Sequence, residues 1–159
     1  MIINKIFLCI ALYNLSNTTM PMSKNGVNMA CQQAEHLIET AEMTDISPFV
    51  FASLIWHESR WLTNSVSKAK ACGLTQVLAK YSNYSCKELQ NPERSITEGA
   101  SILHSWLNKK KNIKTSLKCY NSGYACSSNS YAQTILKKSK LLKKEYLQVQ
   151  NTIIGDNNE

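Results

Sequence analysis

The stretch that most constrains this chain is Leu54-Ile55-Trp56-His57-Glu58-Ser59-Arg60-Trp61. It closes a segment that opens at Asp45-Ile46-Ser47-Pro48, where Ser47 suits a helix cap and Pro48 the first helical position. The spacing predicts a helix from Pro48 to about Trp61, with Phe51, Leu54, Ile55, Trp61 and Leu62 as its apolar stripe. Glu58 lies seven residues after Phe51 and falls on that stripe. An ionised, unpaired carboxylate there is costly, so burial is expected to raise its pKa and hold it protonated near neutral pH. A protonated carboxyl in a partly apolar cleft is the general acid that glycosidases place on a leaving oxygen. A buried ion pair with Arg60, Arg94 or a lysine is the structural alternative.

The rest of the chain also reads as helical. Residues 29–43 place Ala30, Ala34, Leu37, Ile38 and Ala41 on one face. Residues 64–73 read as loop and 74–82 as a short helix. Asn91-Pro92-Glu93 opens a helix carrying Ile96, Ala100, Leu103 and Leu107, and Lys109–Asn112 breaks it. A short helix at 115–120 ends in Asn121-Ser122-Gly123, and a last one spans about 129–149. Strand alternation is absent apart from a possible short hairpin near 62–72. The fold class expected is mainly α, with at most a short β-hairpin. With 159 residues, one domain is expected, over 28–150, with a flexible tail at 151–159.

A formal net charge of +7 favours an anionic partner such as a wall polymer or membrane surface. Residues 137–144 add five lysines, read first as a solvated helix face. A nucleic-acid role would need this patch joined to stacking aromatics, and none is expected. At the N-terminus Lys5 precedes an apolar run from Ile6 to Leu15, too short to span a bilayer but suited to a secretory signal over 1–23. A short buried helix opening the fold is the other reading. Export to a periplasm or cell envelope is the expectation.

Of six cysteines, Cys9 would leave with such a signal. Cys31, Cys72, Cys86, Cys119 and Cys126 would remain, giving at most two bridges and one spare thiol. Cys119 and Cys126 suit a short staple, while Cys86 has either Cys72 or Cys31 for a partner. No Cys-x-x-Cys pair occurs, and His57-Glu58 lacks the second histidine of a zinc-protease helix, so no metal and no cofactor are expected. Between Glu58 and Glu88 there is no Asp or Glu. A double-displacement glycosidase needs a second carboxylate about 5 Å from the acid. Chemistry on one carboxylate would make the substrate supply the nucleophile.

The window 58–76, ESRWLTNSVSKAKACGLTQ, resembles the catalytic domain of soluble lytic transglycosylases, the SLT family of lysozyme-like enzymes. Glu58, Ser59, Ser67, Ala71, Gly73, Leu74 and Gln76 fall in register with that family's pattern, and Trp61 replaces its aromatic Phe. Asn91-Pro92-Glu93 with Ile96 and Gly99 is similar to the family's "NPExNIxxG" helix start, and Cys119-Tyr120-Asn121-Ser122-Gly123 to its "AYNAG". Tyr131 is placed like the tyrosine opening its last catalytic-domain helix. The four elements cover roughly 48–140. Lys70 for Gly, Thr63 for Pro and Thr75 for Met are departures, none at a residue the chemistry needs.

The resemblance implies a lysozyme-like fold and a peptidoglycan lytic transglycosylase. Glu58 would protonate the oxygen between N-acetylmuramic acid and N-acetylglucosamine, then deprotonate the muramoyl C6 hydroxyl to leave a 1,6-anhydro end. Ser59 and Gln76 would hydrogen-bond near Glu58 or the sugar. Tyr120 and Asn121 would line the site, and Tyr131 would orient Glu58. Taken singly, Ser59 reads as a helix-surface residue and Asn121-Ser122-Gly123 as a turn. The partner implied is the peptidoglycan glycan strand, met by a monomer. The alternatives are a hydrolytic muramidase on the same fold and a non-catalytic wall-binding part of a secretion or conjugation apparatus or phage particle.

Overall fold

Side-chain caps start most of the helices, and they do so where short polar residues precede apolar periodicity. The computed structural model of the chain describes residues 1–155. Helix α1 (Lys5–Ser16) is capped by Asn4, whose side chain accepts from the Ile6 amide. Ser23 caps α2 (Lys24–Met43) through the Gly26 amide at 3.1 Å. Helix α3 (Pro48–Ser59) starts on Pro48, as the sequence predicts, but the Ser47 side chain makes no capping bond. Arg60 and Trp61 then take left-handed backbone angles and end the helix two residues earlier than its apolar pattern suggests.

The segment read as loop and short helix is instead a small hairpin. Strands β1 (Ala71–Cys72) and β2 (Val77–Leu78) pair antiparallel, with Ala71 opposite Leu78 and Cys72 opposite Val77. A helical turn follows at Ala79–Tyr81. Val77 beside Leu78 favours extended backbone over the helix expected at 74–82. Helices α4 (Cys86–Leu89), α5 (Pro92–Lys110), α6 (Ile113–Ser122) and α7 (Asn129–Gly155) complete the described chain. Asn91 and Asn112 cap α5 and α6 through the Arg94 and Thr115 amides. Of the tail expected at 151–159, residues 151–155 continue α7, and the remainder lies outside the described residues.

Helix α3 is the hub. Phe49 to Trp56 are all buried, so the helix is apolar on nearly every side and packs on α2 and α7. Antiparallel pairing of α3 with α7 sets Phe49 against Tyr146, ring centres 5.3 Å apart, and Glu58 against Tyr131 near the start of α7. The fold is thus mainly α with one two-stranded hairpin. Among the described residues no helix is long and apolar enough to cross a membrane.

Residues 5–16 form α1, which packs between α2 and α7 with Leu8, Ala11, Leu12 and Leu15 buried. Cys9 bridges Cys31 on α2. With Cys9 present, Cys9–Cys31, Cys72–Cys86 and Cys119–Cys126 use all six cysteines, whereas the spare thiol is expected only where Cys9 leaves with a signal. Cys86, open between two partners in the sequence, joins β1 to the start of α4.

Candidate active site

Glu58 stands at the end of α3, where the apolar helix runs out beneath the hairpin loop. Burial raises its pKa from 4.5 to about 7, and a hydrogen bond from the Tyr131 hydroxyl to Oε1 pulls in the opposite direction. Desolvation therefore wins, and near neutral pH much of this carboxyl carries its proton. No charge on another carboxylate contributes to the shift among the described residues. The buried ion pair with Arg60 or Arg94 is absent: Arg94 pairs with Glu88, and the Arg60 guanidinium donates to the Trp56 carbonyl and lies 3.7 Å from that indole.

Two phenols surround Glu58. Tyr131 is buried, its pKa raised by burial first and then by the charge of Glu58. His57 packs edge-on against the Tyr131 ring at 5.0 Å, and burial holds its own pKa below the usual value. His57 thus packs against the phenol that donates to Glu58. Tyr120, from α6, donates its hydroxyl to the Thr75 carbonyl at 2.8 Å. Its pKa is pushed upward by burial and then by Glu58 and Glu98. Glu98 itself accepts from the Ser82 hydroxyl at 2.7 Å.

The loop between the strands is held by small polar groups. Ser59 Oγ donates to the Leu74 carbonyl at 2.8 Å and accepts from the Trp61 amide at 3.1 Å. It is buried, and its contacts are to backbone, so it ties the end of α3 to the hairpin rather than presenting a hydroxyl to a sugar. Gln76, in a left-handed conformation, donates from Nε2 to the Ser65 and Gly73 carbonyls at 2.9 and 3.0 Å. Both amide hydrogens are thereby committed, and Oε1 is the end left for a ligand. Asn121 is exposed at the end of α6 and bonds Ser128 Oγ at 2.5 Å. Glu58, Tyr131 and Tyr120 are thus one electrostatic group, Ser59 and Gln76 shape the adjacent loop, and Asn121 stands at its rim.

Thr75 and Ser95 escaped the sequence reading. Thr75 is fully buried, donates from Oγ1 to the Ser95 carbonyl at 2.7 Å and presents its own carbonyl to Tyr120. Gly99 permits this: a Cβ there would lie 2.5 Å from Thr75 Cβ. The signal was the departure at Thr75 paired with a buried serine, visible only once α5 lies on the loop. A concavity of about 360 Å³, lined by Asn25, Met29 and the loop 61–65, lies beside this group and does not include Glu58. Among the described residues no cluster of His, Cys, Asp or Glu is arranged to hold a metal.

No curated protein matches the chain. The family model described as the transglycosylase SLT domain matches residues 35–143, which spans α3, the hairpin and α5, together with the Tyr120 and Tyr131 positions. With a match that covers more than half the chain, this protein belongs to the SLT transglycosylase family, whose members act on the glycan of peptidoglycan.

Proposed function

We propose that this protein is a lytic transglycosylase that cuts the bond between N-acetylmuramic acid and N-acetylglucosamine, with Glu58 as its only acid and base. The observation that carries the reading is the Glu58 carboxyl itself, raised to about 7 by burial and held by Tyr131. Protonated Glu58 gives its proton to the glycosidic oxygen as the C1–O bond breaks. The resulting carboxylate takes the proton of the muramoyl C6 hydroxyl, and O6 closes on C1. Two sugar ends result, one of them a 1,6-anhydro ring, and no water is consumed. Glu58 finishes protonated, ready for the next bond. Tyr131 holds the carboxyl toward the substrate in both states.

The absence of acid between Glu58 and Glu88 supports this one-carboxylate route over a hydrolytic muramidase. Glu98 is the other carboxylate felt by Tyr120, but its Oε1 is taken up by Ser82. Gln76 Oε1 and Asn121 are proposed to meet the sugar N-acetyl groups, and Ser59 to keep the loop in place. Export is proposed on the Cys72–Cys86 and Cys119–Cys126 disulfides, which would remain after loss of residues 1–23 and persist in oxidising compartments. Local wall opening for an envelope-spanning machine fits a small basic enzyme of this kind.

The test is digestion of purified sacculi by the full chain and by Glu58→Gln, with released muropeptides weighed by mass spectrometry. Anhydro-muropeptides from the parent and none from the variant support the reading. Equal release by both would remove Glu58 from the chemistry. N-terminal sequencing of the exported protein addresses the first residues: a start near residue 24 supports a removed signal, and a start ahead of Cys9 makes α1 part of the working domain.

A further inference from the structure

The loop after α6 displays an aromatic ring that the catalytic reading does not use. Tyr124 is 82% exposed, although three features hold its loop rigidly. Cys126 is bonded to buried Cys119, the Ser127 amide donates to Ser122 Oγ at 2.9 Å, and the Cys126 amide donates to the Gly123 carbonyl at 3.0 Å. The turn that lifts Tyr124 outward needs Gly123 at φ 62°, ψ −147°, a conformation that glycine alone adopts without strain. A rigid, solvent-facing aromatic is a low-entropy anchor for a ligand.

A second aromatic meets it. Trp106 of α5 lies edge-on to Tyr124, ring centres 5.1 Å apart and planes at 77°. Lys109 Nζ is 5.1 Å from the Trp106 ring and 5.7 Å from that of Tyr124. Lys109 is exposed and has no acidic partner among the described residues.

Both rings adjoin the site. Tyr124 follows Tyr120 and Asn121 by four and three residues. Trp106 follows Gly99 by seven, so it occupies the α5 face that touches Thr75, about 10 Å farther along the helix. A polymer leaving the Tyr120–Asn121 rim along that face passes over the pair. Pyranose rings carry an apolar C–H face that packs on aromatic rings, and two rings near a right angle offer a floor and a wall. The muramoyl peptide stems carry carboxylates that an unpaired ammonium attracts.

We infer that Trp106, Tyr124 and Lys109 form a stacking platform that grips the glycan strand beyond the bond being cut. This rests on the glycan-cleaving function proposed above. Area alone does not argue for it, since single exposed aromatics are ordinary. The argument is the convergence of a braced aromatic, a second ring and an unpaired cation beside the Tyr120–Asn121 rim.

The test uses co-sedimentation of the full chain with purified sacculi in the Glu58→Gln background, where nothing is digested. Adding Tyr124→Ala is expected to weaken binding about tenfold, the loss of one aromatic anchor. Tyr124→Trp in the same background is expected to restore it, which a fold defect would not do. Equal binding with and without Tyr124→Ala overturns the platform. Muropeptide release by the unsubstituted chain is scored in parallel. Release with Tyr124-independent binding leaves the enzyme standing and removes the platform. Tyr124-dependent binding without release removes the enzyme and keeps the platform as a wall-binding surface.

Discussion

Burying Glu58 should destabilise the folded protein in a way that depends on pH, and the sign is fixed by its pKa. The carboxyl titrates near 7 when folded and near 4.5 when unfolded. Between those values the folded state binds more protons than the unfolded state, so stability falls as pH rises from 4.5 through 7 and levels off above. The accumulated cost at pH 8 is about 3 kcal/mol, at 1.36 kcal/mol for each tenfold change in proton affinity. Glu58→Gln keeps the size and an oxygen that accepts from Tyr131 but does not ionise. Urea unfolding of parent and variant at pH 4.5 and pH 8 measures the difference. The variant is expected to match the parent within about 1 kcal/mol at pH 4.5 and to exceed it by about 3 kcal/mol at pH 8, a midpoint shift of roughly 1 to 2 M urea. A difference that does not change with pH, or a variant less stable at pH 8, would refute the claim that desolvation dominates at Glu58.

Tyr131→Phe removes the hydrogen bond that lowers the Glu58 pKa, so the alkaline limb of kcat/KM on sacculi should move up from about 7. The rate at pH 6 should fall about tenfold because the carboxyl is no longer oriented; an unshifted limb would detach Tyr131 from the acid. Gly99→Ala should destabilise by about 1 to 3 kcal/mol in urea unfolding, since its methyl would stand 2.5 Å from Thr75 Cβ. It should also slow catalysis through the Thr75 carbonyl that holds Tyr120. Cys9→Ser should expose one thiol, Cys31, to titration in the denatured full chain and cost about 3 kcal/mol, the entropy of a loop spanning 22 residues.

The inward placement of Glu58 was legible in the sequence because burial of a helix stripe is a local property. Phe51 and Glu58 share a face whatever the rest of the chain does. Helix starts at Pro48 and Pro92 followed from caps and breakers in the same way, and the last helix followed from its apolar spacing. The hairpin was not legible at its true place, because β1 and β2 are two residues each and carry no measurable alternation. Roles needing a partner were the least legible. Tyr131 reached Glu58 through family resemblance, since nothing in its spacing announces a contact 73 residues away. Ser59 was read as hydrogen-bonding near Glu58 or the sugar; its hydroxyl is engaged beside Glu58 by the backbone of Leu74 and Trp61, a contact that exists only when the loop folds over the helix end. The Cys9–Cys31 bridge was not legible because the favoured export reading of the apolar run at 6–15 takes Cys9 out of the pairing.

The central claim is that Glu58 works without a second carboxylate and without water. Digestion of sacculi by the full chain in water enriched in oxygen-18 tests it most directly. The account predicts 1,6-anhydro muropeptides carrying no label at the new sugar end, and their loss in Glu58→Gln. Reducing ends that carry one oxygen-18 would contradict it, because that atom enters only if water attacks C1.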